Sequence, residues 1–299
     1  MAVVVVTDSS CGLEPEVAAD LGIRIVPLHV LVDGLDLRDG VDEMPANLFV
    51  GAGITTSGAS PGELTDAYAQ ALEDSDGDGV VAVHISRQLS GTWDAGRQAA
   101  QELGEKVRIV DSRSTAMALG YAVLAAARVA RAGGSLRAVY ERAVEVADRG
   151  RVLIMVDRLD HLRRGGRIGT AAALFGTALA MKPVLHLVDG KLVLREKTRT
   201  VTKALGRLVD GAVELAAAGT RELPGTESRD VAVAVHHVHA AERAEQVAAA
   251  LRERLPDVGE CVVAELGPVV ASHLGPGAVG VLVVPGGSEL PASFDARSE

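Results

Sequence analysis

The residues best suited to chemistry lie near the C-terminal end, where a histidine sits beside a Gly-Pro-Gly turn in His273-Leu274-Gly275-Pro276-Gly277. Glycine lets a backbone approach a ligand without a Cβ, and proline fixes the turn. Histidines on turns are common on protein surfaces. This one gains weight from upstream segments that carry hydroxyl and arginine motifs.

Three expected strands, at 3–6, 80–85 and 107–110, run straight into hydroxyl-rich turns. These are Thr7-Asp8-Ser9-Ser10, Ser86-Arg87-Gln88-Leu89-Ser90-Gly91-Thr92 and Asp111-Ser112-Arg113-Ser114-Thr115. Open parallel sheets bind ligands beyond the carboxyl ends of their strands, so the three turns can converge on one crevice. The plainer reading is that their Ser and Thr residues cap the following helices. Ser90-Gly91-Thr92 stands apart, because Gly91 lets a ligand approach a helix N-terminus. In Thr55-Thr56-Ser57-Gly58-Ala59-Ser60-Pro61, Ser60 is expected to cap a helix with Pro61 at its first position. That leaves Thr56 and Ser57 for a ligand. The turn Arg163-Arg164-Gly165-Gly166-Arg167-Ile168-Gly169 suits a carboxylate or phosphate. Its ordinary reading is a helix C-terminus with arginines complementing the dipole. Lys197-Thr198-Arg199 ends a hairpin and reads otherwise as a solvated strand end.

Other clusters carry less. Asp33, Asp36, Asp39 and Asp42 lack the spacing of a calcium loop and are expected to be solvated hairpin carboxylates. His236, His237 and His239 alternate faces along a strand, which disfavours one metal shell. No phosphate loop, dinucleotide fingerprint or nucleophile elbow is present. Cys11 and Cys261 match no zinc spacing and are expected to be reduced thiols. The formal charge of -10 argues against general binding to nucleic acid or anionic membrane. With no signal-peptide pattern and no apolar run long enough to span a bilayer, a soluble, cytoplasmic protein is expected.

These residues need a scaffold. The 299 residues are 48% hydrophobic but only 2% aromatic, so the core must be built from Val, Leu, Ala and Ile. Residues 1–150 alternate expected strands with helices at 63–73, 91–103, 117–131 and 136–149. That pattern implies an α/β domain on a parallel sheet. Residues 151–285 mix strands with a hairpin at Asp189-Gly190 and helices at 160–181 and 201–217, an α+β pattern. The stretch 218–230 reads as a loop, and 286–299 as a flexible tail.

The ordered set of motifs resembles the DegV family of bacterial lipid-binding proteins, which includes the fatty-acid-binding FakB subunits of the fatty acid kinase system. The motifs are Thr7 to Ser9, Thr56 to Ser60, Leu89 to Thr92, Asp111-Ser112, Gly165 to Ile168, Lys182-Pro183, Lys197 to Arg199 and His273 to Gly277. Each alone is common; their order is specific. The resemblance implies a two-domain fold with a long-chain fatty acid held between the domains. It implies a carboxylate site at Thr56, Ser57, Ser90, Gly91, His273 and Gly275. It places Arg167 and Arg199, with His273, in work with a partner ATP-dependent kinase, within phospholipid metabolism. This chain departs from the family pattern at Gly58, Ala59 and Trp93, which bears on acyl-chain preference.

The residue types suit that ligand. Aliphatic side chains can line a dry tunnel, and a buried carboxylate needs hydrogen bonds, which hydroxyls and a histidine can donate. Scarce aromatics argue against a stacked sugar or nucleobase. The expected protein is therefore not itself an enzyme. It is an acyl carrier with no cofactor beyond its bound fatty acid. The alternatives are a lipid-sensing regulator without a kinase, or a hydrolase or acyltransferase using Ser90 and His273, for which no orienting acid is marked.

Overall fold

A computed structural model describes residues 2–45, 48–49, 53–168, 181–221, 230–255 and 258–289. The first half runs β1 (Val4–Asp8), α1 (Pro15–Asp20), β2 (Arg24–Val26), β3 (His29–Val32), β4 (Leu35–Arg38), β5 (Thr55–Ser57), α2 (Pro61–Asp74), β6 (Val80–His84), α3 (Thr92–Leu103), β7 (Val107–Asp111), α4 (Ala116–Arg131) and α5 (Leu136–Arg149). The second runs β8 (Arg151–Met155), α6 (Asp160–Arg164), β9 (Lys182–Val188), β10 (Lys191–Thr198), α7 (Val201–Arg221), β11 (Val231–His237), α8 (Ala241–Arg254), β12 (Val258–Glu265), α9 (Pro268–Leu274) and β13 (Val279–Pro285).

The first sheet is wholly parallel, in the order β2-β1-β6-β7. Its central strands read as unbroken apolar runs because helices cover both faces; all five residues of β6 are buried. The second sheet has the order β10-β9-β8-β13-β11-β12 and is antiparallel except for the pair β11–β12. Helix α4 lies between the two sheets. Its Ala-rich sequence is apolar all round, as a helix buried on every side must be, and 14 of its residues are buried. Tyr121 donates from α4 to the Val233 carbonyl at 2.8 Å. One apolar core therefore runs from β1 and β6 through α4 and α5 to β8 and β13. Helices α7 and α8 close the other face of the second sheet.

A small antiparallel sheet, β4-β3-β5, adds a third strand to the hairpin expected at the aspartates. It arises from a tight turn at Asp33-Gly34, both with positive φ, and from the return of 55–57 to pair with β3, Val30 opposite Thr56. Ser60 caps α2 as expected: its hydroxyl accepts from Glu63 N while the Glu63 carboxylate accepts from Ser60 N.

Several expectations need correction. Asp33 and Asp36 do lie on the hairpin and Asp42 follows it, paired with Arg38, but Asp39 is only 4% exposed and accepts from Ser9 Oγ at 3.0 Å and from the Val269 amide. The chain turns inward after β4 so that Asp39 can seat the start of α9. Burial, before any other cause, pushes the Asp39 carboxyl up to about 6. The helix expected across 160–181 is described only as Asp160–Arg164, which ends at Gly165 and Gly166; 169–180 lie outside the described residues. The loop expected from 218 begins later, since α7 continues to Arg221. Within the segment expected as a tail, Ser288 is buried and accepts from Arg128, while the Glu289 carbonyl accepts from Arg142.

Candidate functional site

Thr56 and His273 meet across the molecule. Strand β5 presents Thr56, and the last turn of α9 presents His273, with Thr56 Oγ1 and His273 Nε2 2.7 Å apart. His273 therefore stands in a helix, not on the turn that sequence alone suggested, while Gly275, two residues later, makes the turn at φ 76°. Two glycines permit this packing. A Cβ on Gly165 would collide with the His273 ring. A Cβ on Gly58 would lie 2.6 Å from Thr92 Oγ1 and 3.1 Å from Ser90 Oγ. The Gly58 departure thus closes the β5 loop onto the start of α3, where Ser90 and Thr92 hydroxyls bond each other at 2.9 Å. Arg167 spans from the α6 turn to the same place, donating from Nε to the Leu89 carbonyl at 2.8 Å and from Nη1 to the Gly165 carbonyl.

These groups line one narrow chamber with about 60 Å³ of free space. Thr56, Ser57, Ser90, Arg167 and His273 all line it; most of the remaining wall is aliphatic, including Leu28, Ile85, Ile154, Leu187, Leu192 and Val270. Thr56, Arg167 and His273 also line a neighbouring, more polar cavity with His161, Arg164 and Ser272. They form the partition between a greasy chamber and a cationic vestibule.

Burial drives the His273 imidazole down to about 4, helped by the nearby Arg167 and then His161. His273 is therefore neutral near pH 7, with one ring nitrogen donating and the other accepting. His161 is lowered by burial and by Arg164. The pole is thus built from neutral donors with one partly committed guanidinium beside them.

Not every candidate reaches the chamber. Gly91 precedes α3, and a Cβ there would meet nothing within 4 Å; it lines neither cavity. Gly275 is required by its positive φ and because a Cβ would strike the His161 ring. Arg199 is exposed just beyond β10 and lines neither cavity. Of the three hydroxyl-rich turns, those after β6 and β7 reach the chamber, through Ser90 and Thr115. The Thr7-Asp8-Ser9-Ser10 turn instead locks the scaffold, as Asp8 and Ser10 are buried in a network with His84 and Tyr68. Thr115 was missed as a contributor, because a hydroxyl at a helix start reads as a cap. His273 bonds Thr56 and Ser90 bonds Thr92, so the nucleophile–base bond of a Ser90/His273 hydrolase is not formed. Among the described residues, no group of three His, Cys, Asp or Glu side chains could hold a metal ion, and no helix is long and apolar enough to cross a membrane.

A family model described as "Uncharacterised protein, DegV family" matches residues 2–286. The chain belongs to the DegV family. A DegV domain-containing protein of Mycobacterium tuberculosis is 51% identical over 288 residues, spanning 96% of this chain and 99% of the relative. The solved DegV family protein of Thermus thermophilus, described for its fatty acid binding, superposes with a TM-score of 0.86 at 32% identity, over 95% of this chain and 100% of that one. DegV of Bacillus subtilis, described as a fatty acid binding protein, superposes at 0.81 with 29% identity, over 95% and 99%. The DegV arrangement, a parallel-sheet N-terminal domain with a further sheet-and-helix domain, is the fold of this chain.

Proposed function

We propose that this DegV-family chain binds a long-chain fatty acid in the chamber and presents its carboxylate to a separate ATP-dependent fatty acid kinase. The observation that carries the reading is the Thr56–His273 pair at the polar end of an aliphatic chamber, with Ser90 and Arg167 beside it. A carboxylate leaving water needs its lone pairs satisfied. Thr56, Ser90 and neutral His273 supply donors without a full cation among them, and Ser57 adds another. An acyl chain then lies along Leu28, Ile85 and Val270 toward Leu187 and Leu192. The fatty acids bound by the Thermus and Bacillus relatives support this ligand class.

The vestibule beyond Thr56 and His273 is where a kinase active site would reach the carboxylate. Formation of an acyl phosphate adds negative charge there, which arginine holds through paired hydrogen bonds. Arg167 faces both cavities and suits that role; Arg199, exposed on the surface, suits docking of the kinase. On this reading the chain is a carrier in the cytoplasm, and the chemistry belongs to its partner.

One experiment separates the two roles. Wild type, Thr56→Val/Ser90→Ala and Arg167→Ala/Arg199→Ala are titrated with oleate and then assayed for acyl phosphate with the cognate kinase. The hydroxyl variant is expected to lose affinity, each deleted bond to a charged group being worth roughly 1.5–3 kcal/mol. The arginine variant is expected to keep its lipid and lose turnover. Unchanged affinity in the hydroxyl variant moves the anchor elsewhere, and normal turnover in the arginine variant removes those residues from phosphoryl transfer.

A further inference from the structure

Thr115 occupies the position before α4, where a threonine hydroxyl ordinarily accepts a bond from a first-turn amide. It makes no such bond. The next residue, Ala116, enters the helix at φ 51°, a left-handed start in place of the usual one. Thr115 Oγ1 is buried without any hydrogen-bond partner, the residue is 6% exposed, and it lines the chamber.

It belongs to the turn between β7 and α4, a different element from those that carry Thr56, Ser90, Arg167 and His273. The Ser114 carbonyl accepts from Ser86 N, and Ser86 Oγ donates to the Gly190 carbonyl, so the β9–β10 hairpin is drawn onto the Thr115 turn. Ile85, Ile154, Leu187 and Leu192 line the chamber from the elements gathered there. Ser114 Oγ, one residue earlier, is also buried and unpartnered, and lines an adjoining cavity that shares Leu187 with the chamber. A buried hydroxyl is expensive to leave unsatisfied.

We propose that the chamber prefers a fatty acid oxygenated along its chain, a hydroxy- or keto-acyl group whose in-chain oxygen bonds Thr115 Oγ1, over the plain acid of the same length. A hydroxyl both donates and accepts, so Thr115 can pair with either. The inference rests on the fatty-acid reading of the same chamber.

The test titrates delipidated wild type and Thr115→Val, a near-isosteric change, with stearate and with a series of monohydroxystearates whose hydroxyl is stepped along the chain. Wild type is expected to bind the acids of one narrow range of positions about tenfold more tightly than stearate, the size of one well-made buried hydrogen bond. Thr115→Val is expected to lose that advantage, so that its affinities for stearate and for every hydroxystearate converge. The inference is overturned if no position outperforms stearate, or if the advantage survives in Thr115→Val; stearate binding then leaves the fatty-acid reading standing. If neither stearate nor any hydroxystearate binds wild type, the fatty-acid reading itself falls and takes this inference with it.

Discussion

Asp8→Ala is expected to destabilise the protein by about 3–5 kcal/mol, the range for removing one partner of a buried charged network. Asp8 is fully buried at the end of β1. Its Oδ1 accepts from Ser10 N at 3.2 Å and from Ser10 Oγ, and its Oδ2 accepts from Ile85 N at 2.9 Å and faces His84 Nδ1 at 2.9 Å. The other His84 nitrogen lies 2.6 Å from Tyr68 Oη on α2. One carboxylate thus ties together β1, β6 and α2. Burial and the Asp8 charge both push the Tyr68 hydroxyl up, so it stays protonated. Deleting Asp8 strands the amides of Ser10 and Ile85 and one imidazole nitrogen where water cannot replace the lost acceptor. Asp8→Asn keeps the shape and one acceptor oxygen and is expected to lose less. Urea unfolding of the three proteins checks this; a loss below about 1 kcal/mol for Asp8→Ala would mean that the network relaxes without its centre.

Acidification is expected to unfold the lipid-free protein from a second cause. The imidazoles of His236 and His273 are both held down to about 4 from an ordinary 6.5, in each case chiefly by burial. Between those values the unfolded chain takes up protons that the native chain refuses, so stability is full above pH 6.5 and is lost as pH falls toward 4. Each contributes about 3 kcal/mol across that window. Asp39 works in the opposite direction. Its carboxyl is raised from 3.8 to about 6, so the native state takes a proton first and gains stability as pH falls from 6 toward 4, again by about 3 kcal/mol. The net expectation is a loss of about 3 kcal/mol over the window, falling to near zero in His273→Gln. Urea midpoints measured across this range are the check, and stability that is flat or rises on acidification would contradict the burial of both neutral histidines.

Much of the scaffold was legible because its signals are local. Valine runs at β1 and β6 flanked by turns, the Asp189-Gly190 hairpin and the Ser60 capping box are each written within a few residues. The third strand of the small sheet was not, since β5 is three residues long and exists only because β3 lies beside it. Asp39 was misread for the same reason: its partners, Ser9 and the start of α9, are distant in the chain. Within the site, residue types pointed to Thr56, Ser90, Arg167 and His273, but not to the bond joining Thr56 to His273 across 217 positions. In the sequence Gly58 is only a departure from the family pattern; in space it is the contact that lets the loop close on Thr92. Thr115 looked like a cap, and only the backbone of Ala116 reveals that it is not one.

The central claim is that the chamber behind Thr56 and His273 holds a fatty acid. Native mass spectrometry of the purified chain, followed by denaturing extraction, tests it most directly. The account predicts one long-chain fatty acid per chain in the native spectrum, released on extraction and diminished in Thr56→Val/Ser90→Ala. A native mass equal to the bare polypeptide, together with no binding of added oleate or palmitate, would contradict it.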